Sequence, residues 1–96
     1  MSYRLEWTGP VRRAVATWGL PDQVFVEMRL RVNRLSENPA AQLARVRFPF
    51  DGLAYGFEMI DPVNRLCVHT FLFQVVYSQD EETLYIAYGT HGRRYG

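Results

Sequence analysis

The feature that most constrains this chain is a change of hydrophobic period near residue 46. Before it, apolar residues recur at helical spacing: Val11, Ala14, Val15 and Trp18, then Val24, Phe25, Met28, Val32 and Leu35. After it they alternate. Leu53, Tyr55, Phe57 and Met59 stand between Ala54, Gly56 and Glu58, and Arg65–Ser78 is apolar on nearly both faces, the pattern of a central strand. Helices gathered in one half and strands in the other predict an α+β domain rather than an alternating α/β one.

Local signals set the boundaries. Tyr3, Leu5 and Trp7 alternate with Arg4, Glu6 and Thr8, an opening strand. Thr8-Gly9-Pro10 offers a capping hydroxyl and a proline suited to a first helical turn; Gly19 and Pro21 end that helix. A second helix starts near Asp22, with Glu27 and Arg31 as a favourable i,i+4 pair, and ends at Asn38-Pro39. Only about three residues join the two helices, which predicts a helical hairpin. Val46–Phe50 reads as a short strand or an extended connection, with Pro49 against the strand. Asp61-Pro62-Val63-Asn64 and Gln79–Glu82 are turns, and Thr83–Gly89 is the last strand. The expected fold is therefore a strand, a helical hairpin and a three-stranded antiparallel meander, with the helices on one face of the sheet.

With 96 residues, 48% of them hydrophobic, the chain has enough apolar surface for one core and too little length for two, so residues 1–96 read as a single domain. A lone cysteine, Cys67, excludes an intramolecular disulfide and a cysteine-rich metal site, and reads as a small buried hydrophobe. His69 and His91 lack metal-ligand spacing and no third ligand stands out, so neither metal nor other cofactor is expected. The opening Met1-Ser2-Tyr3-Arg4 runs into the strand pattern rather than a signal peptide, and no apolar run reaches membrane-spanning length, which predicts a cytoplasmic protein. Charge is uneven. Residues 1–50 hold eight Arg against four acids (+4), and residues 51–96 hold three Arg against six acids (−3), giving the net +1. A basic first half suits nucleic acid or an acidic partner; a solvated arginine face is the plain alternative.

The element order, together with several local runs, resembles the RelE/ParE family of bacterial type II toxins. Arg34-Leu35-Ser36-Glu37-Asn38-Pro39 is similar to the family's "L-x-x-N-P" helix ending. Phe73-Gln74-Val75-Val76-Tyr77 stands where members carry an "R-V-x-Y" strand, and Gly89-Thr90-His91-Gly92-Arg93-Arg94-Tyr95 resembles their C-terminal "G-T-H" and "H-x-R-R" variants. The resemblance spans nearly the whole chain. It implies a toxin with a cognate antitoxin protein as partner, and, in the ribonuclease branch, a ribosome-dependent endonuclease that cuts messenger RNA by 2′-hydroxyl attack and so inhibits translation.

On that reading His91 is the general acid or base, its ordinary pKa of about 6.5 suiting either role. Tyr95 and Arg94 support it, Tyr95 by stacking on a base. Arg93, Arg45 and Arg47 hold RNA or phosphate. Glu58 and Gln74 stand on the open sheet face where members place basic residues, Glu58 as a substitute base or as the partner of an arginine across the sheet. His69 is read as a hydrogen-bonded core residue. The other branch of the family implies a non-enzymatic DNA gyrase inhibitor, and the basic-residue departures imply a third reading, a degenerate member kept as a protein-binding module. Phe48, Phe50, Leu53 and Tyr55 are the candidate seat for an antitoxin segment.

Overall fold

A computed structural model describes residues 3–95, so Met1 and Ser2 of the opening segment, and Gly96, lie outside the described residues. The elements are β1 (Arg4–Trp7), α1 (Gly9–Thr17), α2 (Asp22–Asn33), α3 (Pro39–Gln42), β2 (Ala44–Val46), β3 (Gly52–Ile60), β4 (Cys67–Ser78) and β5 (Thr83–Tyr95), with a 3-10 turn at Arg34–Ser36 prolonging α2. One mixed sheet has the order β1-β5-β4-β3-β2. β1 runs parallel to β5 and every other pair is antiparallel. The fold is α+β, and its helices pack on one sheet face, where Val11, Val15, Val24, Met28, Val32 and Leu35 meet Met59, Phe71, Phe73, Val75, Leu84 and Ile86.

Burial explains why these segments take these forms. On α2, Val24, Met28, Val32 and the following Leu35 are all 1% exposed or less, whereas Phe25, counted in the same stripe from sequence, is 36% exposed. Glu27 and Arg31 do pair, at 3.2 Å, and the Arg31 guanidinium also lies 5.4 Å over the Phe57 ring and donates to the Glu58 carbonyl. Phe73, fully buried, is ringed by Trp7, Trp18, Phe57 and Phe71. Edge-to-face and offset ring pairs of this kind add about 0.5–1.5 kcal/mol each beyond area burial.

Four sequence expectations are corrected. The meander is extended by a further edge strand, β2, at Ala44–Val46 rather than Val46–Phe50, because Ala44 and Val46 pair with Ala54 and Gly52 before the chain reaches Pro49. Asn38-Pro39 follows the end of α2 but also opens α3, with proline in the first turn where its missing N–H costs nothing. Thr8 sits at the N-cap of α1 without capping it; its hydroxyl donates instead to the Ile86 carbonyl at 2.9 Å, tying the helix to β5. The last strand does not stop at Gly89 but continues to Tyr95, since the first half of β4 offers Cys67, Val68, His69 and Thr70 as partners for residues 92–95.

Candidate functional site: a histidine relay at the end of the sheet

The extension of β5 creates the site. Side chains alternate across a strand, and with Phe71 opposite His91, His69 opposite Arg93 and Cys67 opposite Tyr95, these residues all fall on the helix-side face, beyond the end of the packed helices. His69 and His91 are diagonal neighbours across the β4–β5 ladder, near enough for two rings to meet. They do: His69 Nδ1 and His91 Nε2 are 2.9 Å apart. His69 Nε2 lies 2.8 Å from Asp61 Oδ2. Asp61 belongs to the β3–β4 hairpin, where its other oxygen, Oδ1, accepts the amides of Val63 and Asn64 at 2.8 and 2.9 Å. One carboxylate thus closes the turn and orients a buried histidine.

Protonation follows from the order of the chain. The His69 hydrogen bond, then the two backbone amides, hold Asp61 down at about 2, so it is an acceptor at neutral pH. His69, 1% exposed, stands between Asp61 and His91: its Nε2 faces the Asp61 carboxylate and its Nδ1 faces His91 Nε2, and the direction of the second bond depends on which ring carries the shared hydrogen. Burial, then the Arg93 charge, then His69 push the His91 pKa down to about 4. The His91 pKa therefore lies below the ordinary 6.5 assumed from the sequence, and the ring is neutral at pH 7.

The surroundings are built from the α1–α2 turn. The Trp18 ring stacks on His91 at 5.4 Å between centroids. Arg93 Nη2 donates to the carbonyls of Trp18 and Gly19 at 3.1 and 3.4 Å, which anchors the cation beside the imidazole. Tyr95 is exposed and stands opposite Cys67 across the β4–β5 ladder, and the neighbouring thiol raises its pKa.

The sequence-derived candidates separate into three places. His91, Tyr95 and Arg93 share the helix-side face with His69. Arg94, Glu58 and Gln74 lie on the opposite face, where Arg94 forms an ion pair with Glu58 and Gln74 stands between Ala54 and Tyr88. Arg45 and Arg47 are at the far edge: Arg45, on β2, pairs with Asp51 at 3.3 Å, and Arg47 is exposed just beyond. Three strand spacings separate β2 from β5, roughly 14 Å. The suggested antitoxin seat is also divided. Phe50 packs on Tyr88, Tyr55 joins the core on the other face, and Phe48 is exposed.

Asp61 and Trp18 were read only as a turn residue and a core aromatic. The signal for Asp61 was present in the hairpin: its turn places Asp61 against Cys67, whose neighbour two residues on is His69. A groove of about 360 Å³ between α1 and α2, lined by Trp7, Arg12, Phe25 and Met28 among others, shares no residue with the relay. No helix among the described residues is long and apolar enough to cross a membrane. No family model, no curated protein and no solved structure matches this chain.

Proposed function

We propose that this chain is a RelE/ParE-like toxin acting as an RNA endonuclease, with His91 as general base. The observation that carries the reading is the Asp61–His69–His91 relay beside an anchored arginine; with one hydrogen on each ring and Asp61 as the acceptor, it presents a bare Nδ1 on the half-buried His91 ring. In the reaction, Nδ1 takes the proton of a ribose 2′-hydroxyl, the oxygen attacks the adjacent phosphorus, and the P–O5′ bond breaks to leave a 2′,3′-cyclic phosphate. Asp61 and His69 orient the His91 ring for this step, as an acceptor behind a histidine does in other acid–base sites. Arg93 keeps nitrogens beyond the anchored Nη2 for the charge gathering on phosphate. Tyr95, exposed on the same face, offers a ring for a base to stack on. The cognate antitoxin would silence the toxin.

The test is a map of messenger-RNA 5′ ends after brief induction in a bacterial host. New ends within translated codons are expected, reduced on the order of 10²–10⁴-fold in His91→Ala, the usual contribution of a positioned base. Growth arrest with intact RNA would instead favour the gyrase-inhibitor reading, and normal growth the protein-binding module.

A further inference from the structure

Among the described residues, one group of three ligating side chains stands together: Asp61, Cys67 and His69, all buried, with an oxygen, a sulfur and a nitrogen within 4.8 Å of one another. We propose that these three side chains form a binding site for a divalent transition-metal ion of the zinc class. Three atoms so spaced share a centre within about 2.8 Å of each, at most about 0.5–0.8 Å outside zinc's bond lengths of about 2.0–2.3 Å, so the side chains close on the ion as it binds. A thiolate, an imidazole and one carboxylate suit zinc or cobalt; calcium and magnesium, which take oxygen ligands, are disfavoured.

The ligands are positioned before any ion arrives. Asp61 and Cys67 face each other across the hairpin, where the Asp61 amide donates to the Cys67 carbonyl at 2.9 Å. Val63 and Asn64 hold Oδ1 of Asp61, which aims Oδ2 at His69. His91 grips the ring nitrogen of His69 that would face away from the ion, the outer contact that metal-bound histidines usually have. Tyr95 stands opposite Cys67 across the β4–β5 ladder, and three protein ligands leave a fourth coordination position open.

Binding exchanges protons in a defined way. The Cys67 thiol releases one proton to solvent. His69 must present a bare Nε2, so its hydrogen moves to Nδ1; His91 then accepts at Nε2 and carries its own hydrogen on Nδ1. The metal-loaded state thus turns His91 from acceptor to donor and blocks it as a base. This consequence, unlike the site itself, rests on the endonuclease reading.

The experiment is a titration of tag-free, metal-stripped protein with Co²⁺, followed by absorbance. One Co²⁺ per chain is expected, with a thiolate-to-metal charge-transfer band and tetrahedral d–d bands, both abolished by Zn²⁺ competition. Since Cys67 is the only cysteine, that band in the unaltered protein assigns the ligand without a variant. Cys67→Ser should remove the band, whereas His91→Ala, which takes away only the outer contact on His69, should keep the band while weakening binding about 10–100-fold. No charge-transfer band at millimolar Co²⁺, or one ion per two chains, would overturn the site. RNA cleavage is not read here, so the site and the endonuclease reading can fail separately.

Discussion

His91 owes its character to the groups around it more than to being a histidine. Its ring stacks on Trp18, and burial first, then the Arg93 charge, then His69 make the imidazolium harder to form. In metal-free protein at neutral pH, long-range nitrogen–proton NMR should show hydrogen on Nε2 and none on Nδ1, with a titration midpoint near 4. Arg93→Gln removes the second-largest cause and should raise that midpoint. A wild-type midpoint near the ordinary 6.5 would show that the relay does not hold the ring neutral. On the proposed endonuclease reading, the same shift places the acid limb of cleavage near pH 4 rather than near 6.5.

At the scale of elements, the site depends on β5 running on past Gly89 and on the α1–α2 turn bending over it. Gly19 has φ of +62°, a left-handed conformation that glycine adopts without strain, and this turn delivers the Trp18 ring and the two carbonyls that hold Arg93. Gly89 has a different reason. A Cβ there would lie 2.9 Å from the Phe73 ring and 3.1 Å from Trp18, both held by packing. At Gly56 the nearest atom is the end of the flexible Leu72 side chain, at 3.1 Å. Urea denaturation should therefore show Gly89→Ala destabilised by about 1–3 kcal/mol, the usual range for overpacking, and Gly56→Ala by clearly less. Equal losses would mean that the aromatic layer yields more easily than its packing implies.

For the whole molecule, relay and stability are linked through pH. His91 titrates near 6.5 when unfolded and near 4 when folded, so between those values the unfolded chain binds the extra proton and stability falls as pH drops. Asp61 adds a second loss further down, between its ordinary 3.8 and about 2, where the unfolded chain again protonates first. Chelator-treated protein should lose on the order of 1–2 kcal/mol between pH 7 and pH 4.5 after allowing for solvent screening of the half-exposed ring, and His91→Asn should flatten that slope. Much of the architecture was legible beforehand because it rests on local periodicity. The stripe Val24, Met28, Val32 and Leu35 marks a helix whichever surface it meets, and the alternation from Leu53 to Met59 marks a strand. β2 was legible only in part, since a three-residue edge strand has no period of its own and forms because β3 is there to pair with it. The relay was least legible. Asp61, His69 and His91 come from a turn and two strands, and no spacing in the chain announces that they touch. By itself, the sequence determined the segregation of helices from strands, the turns and the residues available for chemistry, all matters of short-range sterics and hydrophobic pattern. Only the tertiary structure decided the β4–β5 register, and with it which histidine nitrogen is bare, which arginine stands beside it and which faces the other way, because a shift of one residue would send each side chain to the opposite face.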